Sequence, residues 1–289
     1  MINWADFIAG WAGGICGLVI GHPMDTIKTR QQAKGLSFTK IFVDTYKHEG
    51  FLGFYKGFSV PFLTVGPSNA VFFFTYAEAL KKLQIGGKED IVRLDINNPD
   101  WKWNAGLAGI IGGFAQVLVT CPVELIKTVM QTSVMTGSKT PYVFHSTRDA
   151  IKGIYQYRGI FWFYRGCVSM MLRDIPSSCI YTLAYEWLLP RNRDLQIMDL
   201  IIAGGLAGST SWAVIVPFDV IKTRMQSDNM AQPEFKRTID CAKSLYRTSG
   251  LKIFGRGFTV TIMRAFPVNA AIFAAYEGCL MLFKKFNIT

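Results

Sequence analysis

One ten-residue pattern occurs three times in this chain, and that repetition constrains the fold more than any other feature. Each copy has a proline, an acid two residues later, a lysine five residues later and a glutamine nine residues later. The copies read PMDTIKTRQQ, PVELIKTVMQ and PFDVIKTRMQ and begin at Pro23, Pro122 and Pro217. Their spacing of about 100 residues predicts three tandem repeats of one design, over residues 1–95, 96–193 and 194–289.

Composition indicates that these repeats lie in a membrane. Half of the residues are apolar, only 18% are charged, and the mean hydropathy is +0.24. Two long apolar segments occur in each repeat, at residues 4–34, 58–82, 103–132, 166–189, 199–227 and 257–284. Glycine, proline and charged residues interrupt them, as they do in helices that line a polar cavity. The pattern predicts an all-α membrane protein with six transmembrane helices in three tandem repeats.

A soluble helical solenoid is the alternative to a membrane bundle, since its helices also alternate apolar and polar faces. Solenoid repeats are much shorter than these and have no need of the pattern GxxxG, which lets helix backbones approach closely in lipid. That pattern stands before each motif, at Gly10 and Gly14, Gly109 and Gly113, and Gly204 and Gly208. The membrane bundle is therefore favoured.

The net charge of +11 does not indicate a nucleic-acid partner, because the basic residues are spread over several connections instead of one block. Their bias to the segments after the motifs suits membrane orientation and anionic lipid headgroups. The six cysteines have no CxxC spacing and are predicted to be reduced. The three histidines lack metal-ligand spacing, and no nucleophile–base constellation appears, so we expect no metal, no cofactor and no enzyme. The first apolar segment begins at Trp4, so we expect targeting to be internal.

The triplicated motif resembles that of the mitochondrial carrier family, solute carrier family 25, over the whole chain. The resemblance implies a monomeric, multi-pass protein of the mitochondrial inner membrane with pseudo-threefold symmetry around a substrate cavity. It also implies three short matrix helices, for which the candidate segments are residues 38–48, 145–157 and 235–248. A protein of this kind moves a small molecule by alternating access.

A gate on the matrix side is expected at the motifs. A proline inside a helix kinks it, so the three prolines can bring three helix ends together on the axis. The family pattern then pairs Asp25 with Lys127, Glu124 with Lys222, and Asp219 with Lys28. It also places glutamine braces beneath the gate at Gln32, Gln131 and Gln226. The alternative is pairing within one helix, such as Asp25 with Lys28.

The opposite, cytoplasmic side departs from the family pattern, which has a tyrosine followed by an acid and, three residues later, a base. Ala77 replaces the acid of the first repeat. Leucine stands at all three basic positions, Leu80, Leu189 and Leu280. We therefore predict that this side closes through tyrosines and packing and opens easily.

Glycines at the ends of the connections are candidates for lipid binding. A glycine before a helix exposes backbone amides at a positive helix end, which suits phosphate. The resemblance implies cardiolipin at Gly50, Gly57, Gly159, Gly166, Gly250 and Gly257. Helix capping alone is the alternative role for these glycines.

The substrate class is indicated by residues that break the threefold symmetry. Thr64, Arg173 and Arg264 each stand three residues before a later proline, at positions that are substrate contact points in the family. Asp174 follows Arg173, and an Arg–Asp pair at this position resembles the carriers for amino acids and carnitine. Two arginines suit a carboxylate and the aspartate an ammonium group. A purely structural Arg–Asp pair is the alternative.

Further candidates point to the same branch, that of the carnitine, basic amino acid and methylated-lysine carriers. The indole of Trp212 can hold a quaternary ammonium group by a cation–π contact, or it can face lipid. Asn69 and Asn269 follow their prolines by two residues and either bind substrate or pack between helices. We therefore expect transport of a cationic or zwitterionic amino-acid-like substrate. The rivals are a proton leak, a carrier of choline or another small metabolite, and a membrane adaptor without flux.

Overall fold

The computed structural model describes residues 4–83, 101–133, 144, 146–188, 197–230 and 232–285, and every regular element in these ranges is helical. Each repeat contains a long helix, a short helix, a 3-10 turn and a second long helix. The α-helices are α1 (Trp4–Lys34), α2 (Phe38–Glu49), α3 (Ser59–Leu83), α4 (Trp101–Thr132), α5 (Thr147–Arg158), α6 (Cys167–Leu188), α7 (Ile197–Gln226), α8 (Thr238–Ser249) and α9 (Phe258–Lys285). The 3-10 turns are Phe51–Tyr55, Ile160–Tyr164 and Leu251–Gly255.

These helices lie where the sequence predicts them, with ends that differ by at most three residues. The 3-10 turns were not anticipated. Each short helix buries a pair of residues four positions apart, which lie on one face of a helix. The pairs are Ile41 and Thr45 in α2, Ala150 and Ile154 in α5, and Cys241 and Leu245 in α8. Each short helix therefore packs against the rest of its repeat through this one buried face.

The long helices form a ring in which α1 packs extensively against α9, and α3, α4, α6 and α7 pack in succession, while the contacts of α7 with α9 and of α1 with α3 are much less extensive. Glycine allows the closest approach, between α1 and α9. A Cβ atom on Gly17 would lie 2.6 Å from the side chain of Ile272, and one on Gly21 would lie 2.9 Å from Val268. Contact of this kind joins the first repeat to the third.

The predicted role of the GxxxG glycines is correct for one repeat and wrong for part of the others. Gly109 and Gly113 do pack against α6, but a Cβ on Gly14 or Gly208 would meet nothing within 4 Å. In α1 the face toward α9 begins one residue earlier, at Gly13, and continues in steps of four. Several overlapping glycine patterns exist in this helix, and only tertiary packing selects the one that is used.

The polarity of the bundle suits a membrane. Large apolar side chains such as Leu63, Phe74 and Trp103 are exposed on the outside of the long helices, while charged residues of the motifs are buried inside. Two segments are long and apolar enough to cross a membrane by length and composition, Phe51–Leu83 and Trp103–Thr132. All six long helices contain an internal proline.

Candidate functional site

Three ion pairs join the repeats in a ring at the end of the bundle that carries the motifs, which we call the motif end. Lys127 Nζ lies 3.2 Å from Asp25 Oδ2. Lys222 Nζ lies 2.5 Å from Glu124 Oε2. Lys28 Nζ lies 2.8 Å from Asp219 Oδ2. Each acid thus has, at ion-pair distance, the lysine of another repeat that the family pattern assigns to it.

The ring is largely withdrawn from solvent, because only 4% of Asp219 and 3% of Lys222 are exposed. An ionised side chain deep in a membrane protein costs about 2.5–3.5 kcal/mol unless it is paired. The pairs are therefore a condition for burying the charges, and separating them requires replacement partners or water.

The predicted glutamine braces lie beside the ring, but they do not all make the same contacts. Gln32 donates to Asp219 Oδ2 at 2.9 Å and accepts from Thr223 at 2.8 Å. Gln131 donates instead to Thr26 at 3.1 Å, and Gln226 accepts from Thr128 at 3.2 Å. Within the described part of the chain, Gln32 is the glutamine of the three that hydrogen-bonds a carboxylate of the ring, while the other two connect the repeats through threonine.

Two arginines, one on α6 and one on α9, reach the acids of the ring. Arg173 donates to both oxygens of Asp174, at 2.5 Å and 3.0 Å, and to Asp219 Oδ1 at 2.9 Å. Arg264 Nη1 lies 2.8 Å from Asp25 Oδ1. The sequence predicted these arginines as substrate contacts but did not predict their contact with the gate acids. The candidate substrate site and the ring therefore form one connected charge network.

The remaining predicted substrate residues are placed differently. Thr64 is half-buried and donates to Val60 O of its own helix at 2.7 Å. Because threonine is uncharged, this position adds no charge to the network. Asn69 is exposed. Trp212 and Asn269 lie within α7 and α9, but their side chains fall outside the described residues.

Six predicted lipid-binding glycines all have positive φ angles, a region that favours glycine. These angles are 67° at Gly50, 78° at Gly57, 76° at Gly159, 77° at Gly166, 63° at Gly250 and 85° at Gly257. The first glycine of each pair caps a short helix, since its N–H donates to a tyrosine carbonyl oxygen four residues earlier. The capping geometry is thus present at Gly50, Gly159 and Gly250.

The second glycine of each pair contacts the motif helix of the next repeat. A Cβ atom on Gly57 would lie 3.2 Å from Lys127 O, and one on Gly166 would lie 3.2 Å from Gln226 Cγ. One on Gly257 would lie 3.1 Å from Gln32 Nε2. These three positions hold the repeats together at the level of the ring.

The other end of the bundle, which we call the tyrosine end, has an apolar contact between α3 and α4. Leu80 and Ala79 pack there with Trp101, Ala105 and Ala108. On α6, Tyr181 and Tyr185 stack with ring centroids 6.0 Å apart. Leu189 lies outside the described residues, as do the side chains of Glu186, Tyr276, Glu277 and Leu280.

Several structural residues were missed by the sequence analysis. Arg165 pairs with Asp228 across the second and third repeats and donates to Phe235 O at 2.8 Å. Burial lowers the pKa of the Arg165 guanidinium, and the Asp228 carboxylate opposes that shift. His22 Nε2 lies 3.1 Å from Lys56 O, and this contact connects α1 to the segment just before α3. The available sequence signal for Arg165 was that a basic residue precedes the second connecting glycine, Gly166, as it does in the other repeats. No sequence pattern singles out Asp228.

Within the described ranges, no group of three or more histidine, cysteine, aspartate or glutamate side chains is arranged to hold a metal ion. The arrangement offers carboxylates, ammonium groups and guanidinium groups at bonding distance of one another. It can exchange ion pairs and bind small charged molecules.

Comparison with known proteins agrees with this architecture. A family model described as mitochondrial carrier protein matches three times, over residues 2–87, 99–190 and 193–287. Solute carrier family 25 member 45 of Mus musculus is 35% identical over 288 residues, which cover 96% of this chain and 99% of that protein. The mitochondrial basic amino acids transporter of Rattus norvegicus is 34% identical over 282 residues, which cover 93% of this chain and 86% of that protein.

A further relative, solute carrier family 25 member 48 of Homo sapiens, is 33% identical over 293 residues, which cover 94% of this chain and 93% of that protein. These matches confirm the resemblance that the triplicated motif indicates. This chain belongs to the mitochondrial carrier family, whose members are all-α, tripartite transporters of the mitochondrial inner membrane.

Proposed function

We propose that this carrier moves a cationic or zwitterionic amino-acid-like substrate, such as a basic or methylated amino acid or a carnitine-like molecule. The observation that carries the proposal is the pairing of Arg173 with Asp174 and Asp219, together with the pairing of Arg264 with Asp25. Groups of both signs thus lie together inside the bundle, where a zwitterion can exchange partners with them.

A substrate carboxylate suits the two guanidinium groups, because arginine binds carboxylates through two parallel hydrogen bonds. A substrate ammonium group suits Asp174, the acid of the network that lies outside the ring. Both groups of the substrate are then paired, which offsets the cost of burying them. A neutral solute gains nothing from this site.

Transport proceeds by alternating access, in which one end of the bundle is closed while the other admits the substrate. The three ion pairs of the ring support the proposal that the motif end is the matrix gate in its closed state. A substrate that engages Arg264 or Arg173 draws a cation away from Asp25 or Asp219 and thereby weakens the ring. Substrate binding and opening of the matrix gate are coupled in this way.

The other parts of the proposal follow the family pattern. The six long helices cross the membrane, the three short helices lie on the matrix side, and the carrier works as a monomer. Gln32, Gln131 and Gln226 brace the gate. Cardiolipin binds at the six glycines with positive φ, of which Gly57, Gly166 and Gly257 lie one or two residues before the long helices α3, α6 and α9, whose N-terminal ends carry positive partial charge. The 34% identity to a mitochondrial basic amino acids transporter supports the substrate class.

Uptake into proteoliposomes tests the proposal. Radiolabelled lysine, arginine, trimethyllysine and carnitine are each offered to the wild-type carrier and to Asp174→Asn. We expect saturable uptake of at least one of them and its loss in Asp174→Asn. The matched control is Glu78→Gln, an equivalent change at an exposed ion pair with Lys81 on α3, and it should leave uptake unchanged.

The same assay separates the rival functions. A proton leak needs no Arg–Asp pair, so proton flux that persists in Asp174→Asn would favour that rival. Absence of uptake of all four compounds by folded carrier in liposomes that contain cardiolipin would refute the proposed substrate class.

A further inference from the structure

The second repeat carries a pair of thiols that the transport mechanism proposed above does not use. Cys121 stands directly before the motif proline, and Cys167 stands directly after the second connecting glycine. The equivalent positions hold His22 and Phe58 in the first repeat and Val216 and Phe258 in the third. Sulfur at both positions is therefore particular to the second repeat, and the repeated design does not require it.

The fold brings these two positions together. Gly166 has a φ of 77°, a conformation that favours glycine, and the chain turns there into the first residue of α6. In the first repeat Gly57 has a similar φ of 78°, and the rings of His22 and Phe58 meet edge to face with centroids 5.3 Å apart. The position before the motif proline and the position after the second connecting glycine thus meet in that repeat without any thiol.

The two thiols of the second repeat are also in contact. Cys121 and Cys167 lie within hydrogen-bonding reach of each other. They pack in one apolar cluster, together with Val117, Met170 and Met171. A disulfide requires Cβ atoms that face each other and Cα atoms within about 7 Å, and thiols in contact are close to that arrangement. The pair can therefore be joined with little movement of α4 or α6.

The two cysteines differ in their access to solvent. Both are free thiols, of which Cys121 is fully buried and Cys167 is partly exposed. The Cys121 thiol donates to Phe163 O at 3.8 Å, in the 3-10 turn before α6, and this contact keeps the sulfur near the start of that helix. A small oxidant therefore meets Cys167 first, and Cys121 is placed to react with the oxidised product.

We infer that Cys121 and Cys167 form a reversible disulfide when the carrier meets hydrogen peroxide. The Cys167 sulfur attacks one oxygen of the peroxide, the O–O bond breaks, and a sulfenic acid and one water result. The Cys121 sulfur then attacks the sulfenic sulfur, so that the S–S bond forms and a second water leaves. Two thiols and one peroxide thus give one disulfide and two waters. A thiol such as glutathione reduces the bond again by exchange.

The disulfide acts as a staple between the two long helices of the second repeat. It joins α4, just before the proline at its kink, to the first residue of α6, at the level of the ion-pair ring. It also closes a loop of about 45 residues, which restricts the unfolded chain and so stabilises the folded one. Oxidation should therefore raise Tm by about 3 °C or more. This effect does not depend on the substrate class.

Thiol counting on the full chain tests the inference. The carrier is purified in neutral detergent with a reductant, freed of the reductant and treated with hydrogen peroxide in a series. The thiols that react with a maleimide after unfolding in denaturant should fall from six to four. Peptide mapping should find Cys121 joined to Cys167 within one chain, and dithiothreitol should restore all six thiols.

Three variants make the test specific. Cys167→Ser and Cys121→Ala each remove one thiol of the pair, so both should keep five reactive thiols and show no rise in Tm with peroxide. Cys179→Ser is the matched control, because Cys179 is also partly exposed and lies on α6. It should fall from five thiols to three and gain as much Tm as the wild type. If Cys121→Ala does not fold, Cys167→Ser alone decides.

Retention of six thiols, at peroxide concentrations that oxidise free glutathione in the same solution, would overturn the inference. A disulfide from either cysteine to another residue or to a second chain would do the same. An equal rise in Tm in Cys167→Ser would show that peroxide acts elsewhere in the carrier. A Cys121–Cys167 bond that gives no rise in Tm relative to Cys167→Ser under the same treatment would contradict the staple.

Discussion

At the motif end of the bundle, side chains of opposite charge join all three repeats, whereas at the tyrosine end α3 and α4 meet through apolar side chains. The ring places six charged side chains inside the bundle as three ion pairs. The cluster around Leu80 buries only hydrocarbon and an indole. The described contacts at the two ends of the bundle thus depend on different physical forces.

This difference determines how each end can open. A charge ring opens only when every separated charge finds a new partner, so its opening depends on a charged ligand or on water. An apolar contact needs no exchange of partners and yields gradually as side chains repack. A charged substrate can therefore control the motif end more directly than the tyrosine end.

The largest effect is expected for Asp219→Asn, because this carboxylate contacts Lys28, Arg173 and Gln32. Removing it takes the acid from Lys28 and leaves Arg173 with Asp174 alone, which should cost about 3–5 kcal/mol of unfolding free energy. The measurement is Tm in detergent. Glu124→Gln is the comparison within the ring, because its carboxylate has one ion pair and its side chain is 27% exposed against 5% for Asp219.

We expect the loss in Glu124→Gln to be clearly smaller than the loss in Asp219→Asn. Equal losses would mean that the ring behaves as three equivalent pairs, and that the arginine and glutamine contacts of Asp219 add nothing.

At the tyrosine end, Leu80→Ala should cost about 2–4 kcal/mol, since it removes a buried side chain and leaves a cavity. The exposed Leu63 on the same helix gives the control, and Leu63→Ala should change Tm little. Uptake distinguishes the two ends, because Leu80→Ala should keep transport at a temperature where it is folded, whereas Asp219→Asn should lose it. Retained transport in both variants would contradict the proposed difference between the two ends.

A smaller effect is expected for Gly166→Ala, at the junction between the second repeat and α7. Alanine at a φ of 77° is strained by about 1–2 kcal/mol, and its Cβ would press on Gln226. Gly66→Ala on α3 is the matched control, since nothing lies within 4 Å of its Cβ position. That change should leave Tm unchanged or raise it slightly, because alanine favours helix.

The two glutamine braces are expected to differ from each other, and Gln226→Ala should give the smallest effect of all. Gln32→Ala removes hydrogen bonds to an ionised acid and to Thr223 and should cost about 1.5–3 kcal/mol. Gln226→Ala removes one longer bond to Thr128 and should cost about 1 kcal/mol. Comparing the two Tm values tests whether contact with the ring, rather than glutamine as such, determines the size of the effect.

The sequence predicts well the features that recur in all three repeats. A motif that recurs three times specifies equivalent helix ends, so the helix bounds follow from one repeat and its symmetry. The partners Asp25 with Lys127 and Lys28 with Asp219 were implied by the resemblance to the family, because symmetry alone also allows pairing within one helix. The same argument fails where the repeats differ. Nothing in a threefold pattern states that Arg173 and Arg264 reach down to the ring, because their reach depends on helix tilt and side-chain rotamers.

Contacts between connections were equally inaccessible. Asp228 and Arg165 are 63 residues apart and belong to different repeats, so no local spacing relates them. The glycine face of α1 shows a related limit, since Gly14 and Gly13 begin overlapping patterns and only the position of α9 selects one. The roles of the predicted gate, brace and lipid residues stay predictions, which the variants above address.

The pairing of Arg173 with its chain neighbour Asp174 has a consequence for affinity. On the proposed function, a substrate carboxylate must displace a carboxylate that the protein itself holds at a fixed, high effective concentration beside the same guanidinium. Asp174 would then be a tethered competitor of the substrate. Such competition weakens equilibrium binding of the substrate and speeds its release, which suits a transporter because it must release what it binds.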